Sequence, residues 1–103
     1  VINVTGVDEQ LVSLKPESFE LYANYPNPFN PSTKIRYAIL ETVFTSLKVY
    51  SLLGQEVATL INEEKTPGVY EVNFDSANFT SGTYLYKLQA GNFIKTKKMI
   101  LLR

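Results

Sequence analysis

Hydrophobic residues return at every second position through most of this chain. In "TKIRYAI", Ile35, Tyr37 and Ile39 fall on one side, and Lys34 and Arg36 on the other. "FELYA" sets Phe19, Leu21 and Ala23 against Glu20 and Tyr22, and "TSLKVYS" sets Leu47 and Val49 against Lys48 and Tyr50. "VYEVNFD" gathers Tyr70, Val72 and Phe74 opposite Glu71 and Asn73, and "TYLYKLQ" gathers Tyr84, Tyr86 and Leu88. A period of two marks a strand with one buried face, because successive side chains leave a strand in opposite directions. "EVATLI" and "FIKTKKMILL" complete a set of seven strands, and the parity of the last leaves its inward face open. No segment carries apolar positions at helical spacing over three turns.

Turn signals separate these runs. "LLGQ" reads as a turn on Gly54, since glycine takes a positive φ at little cost. "EEKTPG" reads as a polar loop closing on Pro67-Gly68, "SANFTSG" as a loop, and "AGN" as a hairpin around Gly91-Asn92. "ILETVF" is more apolar than most turns, so the position of the second hairpin turn stays open. No internal repeat or low-complexity tract is evident.

One stretch resists the pattern altogether. "NYPNPFNPS", Asn24 to Ser32, holds three prolines and three asparagines. Pro26, Pro28 and Pro31 lack a backbone donor and push the residue before each toward extended conformations. The side chains of Asn24, Asn27 and Asn30 can satisfy nearby backbone groups. The stretch therefore reads as an ordered crossover between the first two strands that also blunts a sheet edge. Tyr25 and Phe29 are expected to plug it against the body of the fold.

Seven short strands with a turn every ten or so residues predict an all-β chain: an antiparallel β-sandwich of immunoglobulin or fibronectin type. With 103 residues there is room for one such domain. Residues 1–18 are weakly patterned and read as a linker from a preceding domain, with one short strand in "QLVSL". Residues 19–103 form the sandwich. A chain that begins at Val1 rather than Met fits a module taken from the end of a longer protein.

Composition removes most chemistry. There is no cysteine and no histidine, so the common triads, dyads and zinc sites have no ligands or bases. The adjacent acids Asp8/Glu9 and Glu63/Glu64 lie in linker or loop and read as solvated surface charge. The glycines are scattered singly at turns and cradle no phosphate. Calcium ligation is conceivable only around Asn24 to Asn30 or Asp75 to Asn78. The sequence thus predicts no enzyme, no cofactor and no metal site. Formal net charge is zero, which argues against nucleic acid as a partner. No apolar run approaches the roughly twenty residues of a membrane span. The charges are nevertheless segregated. All ten acids lie at or before Asp75, and only Lys87, Lys95, Lys97, Lys98 and Arg103 follow. That asymmetry reads either as complementarity between neighbouring strands or as a basic docking edge.

Several ordered segments carry a resemblance: "NYPNPFNPSTKIRYAI", "LKVYSLLGQEVATLI", "PGVYEVNFD", "SGTYLYKLQAGN" and the final "KTKKMILL". Together they resemble the C-terminal sorting domain of the Por, or type IX, secretion system of Gram-negative bacteria, from about Phe19 to Arg103. The start motif falls on Asn24 to Thr33, including Asn24, Tyr25, Pro26, Asn27, Pro28, Phe29, Asn30 and Pro31. The turn motif falls on Val49 to Val57 around Gly54, and the "SG-x-Y" motif on Ser81, Gly82 and Tyr84. The basic-then-apolar end falls on Lys97 to Leu102. The turn and "SG-x-Y-x-Y" segments are also similar to the immunoglobulin-like domain of flagellar hook-capping proteins.

The resemblance implies a sandwich at the end of a secreted cargo protein, recognised by an outer-membrane translocon. It also implies removal by a sortase-like peptidase, attachment of the cargo to surface lipopolysaccharide, and a secreted or cell-surface location. On that reading Lys95, Lys97, Lys98, Met99, Ile100, Leu101 and Leu102 are the candidate recognition residues, and the other motif residues are mainly structural. Two alternatives stand beside it. One is a polysaccharide-binding accessory module using Tyr22, Tyr50 or Tyr70. The other is a plain structural spacer.

Overall fold

The computed structural model describes residues 16–103. The strand expected in "QLVSL" lies outside the described residues. Among those described there are seven strands and no helix: β1 (Glu20–Leu21), β2 (Ser32–Ile39), β3 (Val43–Ser51), β4 (Glu56–Lys65), β5 (Gly68–Asp75), β6 (Gly82–Ala90) and β7 (Phe93–Leu101). They form two antiparallel sheets, one in the order β1-β2-β5 and one in the order β4-β3-β6-β7. This is the expected sandwich of immunoglobulin type. The fourth strand joins the edge of the second sheet, beside β3, rather than the first sheet.

Alternation decides what lies between the sheets. Ile35, Tyr37 and Ile39 of β2 meet Leu47 and Val49 of β3, Phe74 of β5, and Tyr86, Leu88 and Ala90 of β6 in one buried cluster. Each such side chain contributes roughly 1.5–3 kcal/mol through burial. The same cluster settles the last strand. Met99 and Leu101 are fully buried, whereas Ile94 and Ile100 are exposed, so odd positions of β7 face inward.

Three expectations about the connections need correction. β4 runs on to Lys65 because Glu63, Glu64 and Lys65 pair with Thr45, Phe44 and Val43, leaving only Thr66 and Pro67 as the turn. Leu40 to Thr42 is not a hairpin turn. It carries the chain from one sheet to the other, since β2 and β3 share no ladder. "FELYA" keeps only two residues in ladder geometry. Tyr22 N–H still donates to the Arg36 carbonyl at 3.0 Å, and Tyr25 exchanges both backbone bonds with Lys34 at 3.0 and 2.9 Å. Ala23 and Asn24 together oppose the single residue Ile35, a bulge with Ala23 exposed and Asn24 buried, and Pro26, with no N–H, ends the pairing. The expected hairpin at Gly91-Asn92 is present, with Gly91 at φ 60°.

The antiparallel registers give the sandwich two distinct ends. Phe19, stacked on Phe93 at 5.5 Å, marks the proximal end, where the residues preceding Pro16 join. Leu40–Thr42, Thr66–Pro67 and Gly91–Asn92 turn there. The distal end carries the Asn24–Pro31 segment, the Leu52–Gln55 turn, the Ser76–Ser81 loop and the end of β7.

Candidate recognition site

The distal end gathers the four motif segments that the sequence keeps far apart. Its centre is the run from Asn24 to Pro31. With three donors removed by proline, this run is held by side chains and by single backbone bonds. Asn24 N–H donates to the Tyr86 hydroxyl at 3.0 Å, and that hydroxyl donates to the Tyr22 carbonyl at 2.8 Å. The Asn24 amide donates to the Pro26 carbonyl at 3.2 Å and to Thr33 Oγ1 at 3.0 Å, while Thr33 Oγ1 donates to Pro26 O at 2.8 Å. Pro31 O accepts from both the backbone and the hydroxyl of Ser76, at 2.9 and 2.7 Å. Burial pushes the Tyr86 hydroxyl pKa up, and the hydrogen bond from Asn24 opposes that shift.

Phe29 joins the first motif to the last. Its ring is 2% exposed. Its N–H donates to the Ile100 carbonyl at 2.9 Å and its carbonyl accepts from Leu102 N–H at 3.0 Å, forming a parallel bridge to Leu101. Asn27 Oδ1 accepts the Ile100 N–H at 2.9 Å. The start motif therefore covers the outer edge of β7 over its last residues, and the expectation of a blunted edge holds there. Tyr25 is a correction: it is not a plug but stands 79% exposed. Its backbone pairs with Lys34, and directly opposed residues share a sheet face. Lys34 faces outward, so Tyr25 does too. Pro26, Asn27, Pro28, Asn30 and Pro31 are also exposed.

An aromatic chain ties in the "SG-x-Y" motif. Phe29 meets Phe74 at 6.1 Å, Phe74 meets Phe79 at 5.4 Å, and Phe79 meets Tyr84 at 5.6 Å between ring centres. Tyr84 hydroxyl donates to the Thr80 carbonyl at 2.7 Å, a tyrosine corner at the start of β6. Arg103 closes the loop beside it. Its guanidinium donates to the carbonyls of Ser76, Phe79 and Ala77 at 2.7, 2.9 and 3.0 Å, so this charge is spent on the fold. Gly54 takes φ 88° in the remaining motif, the β3–β4 turn.

The expected recognition strand divides by parity. Met99 and Leu101 serve the core, while Ile100, Leu102, Lys95 and Lys98 are exposed and Lys97 is half-buried. Three acids pair elsewhere. Glu71 pairs with Lys34 and Arg36, Glu56 with Lys48, and Glu63 with Lys65. Among the described residues no carboxylate lies within 4.0 Å of Lys87, Lys95, Lys97 or Lys98. β7 neighbours β6, whose Lys87 faces Thr96, so complementarity between adjacent strands does not account for these charges. In the two stretches considered for calcium, Asp75 Oδ1 accepts from Ala77 N–H and Asn27 Oδ1 from Ile100 N–H, while Asn24 Oδ1 is buried without a hydrogen-bond partner among the described residues. Of the tyrosines considered for sugar stacking, Tyr70 is turned inward against Tyr37 at 5.4 Å, and Tyr50 lies beneath the Lys87 ammonium. Tyr22 remains open to solvent.

Residues 23–102 match the family described as the secretion system C-terminal sorting domain. The chain belongs to that family. A search of curated proteins finds no match. The family assignment makes this a C-terminal sorting signal domain of type IX secretion, a non-catalytic module. It marks proteins exported to the cell surface or secreted. A sorting domain of this kind implies a fused cargo and an interaction with the secretion machinery. No helix among the described residues is long and apolar enough to cross a membrane.

Proposed function

We propose that residues 19–103 act as a folded export and anchoring signal, read by the type IX translocon and later removed from its cargo by a sortase-like peptidase. The observation that carries this reading is the convergence of four motif segments at one end of the sandwich, opposite the end where preceding residues join. The unpaired lysines of β7 supply the recognition charge. Among the described residues they have no carboxylate partner, so a partner's acidic surface gains their interaction at little cost to stability.

The test is charge reversal in a type IX-competent host. Lys95→Glu, Lys97→Glu and Lys98→Glu together should hold a fused reporter in the periplasm while the fold persists. Normal delivery of that variant would reject the basic strand as the recognition element. Deleting the last seven residues is a poorer experiment, because it also removes Met99 and Leu101 from the core.

A second reading follows from the outer face of the three-stranded sheet. Tyr22 and Tyr25 line a shallow hollow with Lys34, Arg36 and Glu71. Exposed tyrosines beside charged groups suit a sugar ring, which stacks on the aromatic face and hydrogen-bonds at its rim. Titration against a glycan array, with Tyr25→Ala as control, decides it. No binding removes this reading.

A further inference from the structure

The turns at the two ends of the sandwich differ in chemistry. Proximal connections use Leu40, Glu41 and Thr42, Thr66 and Pro67, and Gly91 and Asn92, and their one leucine is only 37% exposed. The distal β3–β4 turn places Leu52 and Leu53 at its tip, 62% and 94% exposed. Nothing in the turn geometry asks for leucine. Gly54 N–H donates to Ser51 O at 3.0 Å, Ser51 N–H to Gln55 O at 2.9 Å, and Gln55 N–H to Ser51 Oγ at 3.3 Å. With Gly54 at φ 88°, these bonds make a three-residue hairpin loop whose two central positions favour polar residues. The leucines are thus presented rigidly, with their backbone cost met on folding. Beside them Val57, Asn78, Phe79, Thr80 and Tyr84 line a shallow hollow.

We infer that Leu52 and Leu53 form an apolar knob that docks into a pocket on a protein of the export machinery. The inference rests on the sorting reading above and names its contact. The occupant is a protein with an apolar pocket rather than a second copy of this chain. Two leucines and a small hollow fall far short of the roughly 800 Å² per partner that a standard interface buries. That area suits brief recognition by a deep pocket. Phe19, next to the first strand, lies at the end of the sandwich opposite the knob.

The test uses the full chain fused to a secreted reporter in a type IX-competent host. Leu52→Asn with Leu53→Asn should lower surface or medium delivery at least tenfold, with an unchanged melting temperature. The wild-type module co-produced in excess should compete with reporter export, and the double variant should not. Phe44→Asn, a comparably exposed apolar site at the proximal end of β3, is the control and should export normally. Should the double variant melt early, Leu53→Asn alone carries the comparison. Wild-type delivery of the leucine variants, while deletion of the whole module traps the reporter, would overturn the knob and leave the sorting reading intact. Equal trapping by Phe44→Asn would overturn it as well. Normal delivery without the module would remove both.

Discussion

Two five-residue stretches build the same device at opposite ends of the sandwich. Thr66-Pro67-Gly68-Val69-Tyr70 starts β5 at the proximal end, and Thr80-Ser81-Gly82-Thr83-Tyr84 starts β6 at the distal end. In each, the tyrosine hydroxyl donates to the threonine carbonyl four residues back, at 2.7 Å. In each, the threonine hydroxyl sits beside the tyrosine hydroxyl, at 3.2 and 3.4 Å. The intervening glycines take φ 156° and 150°, values that residues with a Cβ rarely adopt. Their surroundings differ. The Tyr70 ring stacks on Tyr37 and under the Lys65 ammonium, within the body of the fold. Tyr84 instead leads through Phe79 and Phe74 to Phe29 and the start motif. The corner is a general way to begin a strand. What sets the distal end apart is the non-strand segment fastened to it.

That contrast is tested most severely at Phe29. The residue lies outside every strand, yet it is buried as deeply as the strand core and bridges to Leu101. Phe29→Ala should cost about 3–5 kcal/mol, the range for emptying a buried aromatic site. The loss is a large share of the roughly 5–15 kcal/mol that stabilises a domain of this kind. Urea unfolding of the full chain reads it directly. A loss under about 1 kcal/mol would mean that the start motif is a detachable strap rather than part of the core.

Much of this was legible from pattern alone. Period-two alternation placed β2, β3, β5 and β6 with their inward residues, because half-buried strands enforce it. Its prolines and asparagines marked the Asn24–Pro31 run as ordered. Three features were hidden for separate physical reasons. Tyr25 faces solvent because of a single backbone pair with Lys34, which composition does not reveal. β4 extends through Glu63 and Glu64 because an edge strand with a solvated face tolerates charge, so polarity alone misreads it as loop. The inward parity of β7 depends on packing against the other sheet, since both parities of "MILL" are apolar. The twin corners did leave a signal, the recurrence of Thr-x-Gly-x-Tyr. Two variable positions and a change of sheet kept it from reading as a repeat.

A smaller effect is expected at Tyr86. Its hydroxyl donates to Tyr22 O and accepts from Asn24 N–H, linking β6 to the start of the Pro-rich run. Tyr86→Phe leaves the ring in place and strips the buried Asn24 N–H and the part-buried Tyr22 carbonyl of their partner. The cost should be about 1–3 kcal/mol, the penalty for an unsatisfied buried polar group. Amide exchange sharpens the comparison between the two ends. The Asn24 and Phe29 amides should lose protection, while those around Gly91 keep theirs. Uniform loss across both ends would show one cooperative unit with no distinct distal network.

The mildest change addresses the twin corners themselves. Tyr70→Phe and Tyr84→Phe each remove one hydroxyl whose acceptor carbonyl is solvent-exposed. Water can replace the lost donor, so each should cost only about 0.5–1 kcal/mol, the low end for a hydrogen bond. The corners sit in different sheets at opposite ends and share no partner, so the double variant should lose the sum of the two within about 0.5 kcal/mol. If Tyr84→Phe instead costs over 1 kcal/mol more than Tyr70→Phe, the hydroxyl is coupled through Phe79 to the start motif. The distal corner would then belong to the fastening network, and its likeness to the proximal one would be geometric only.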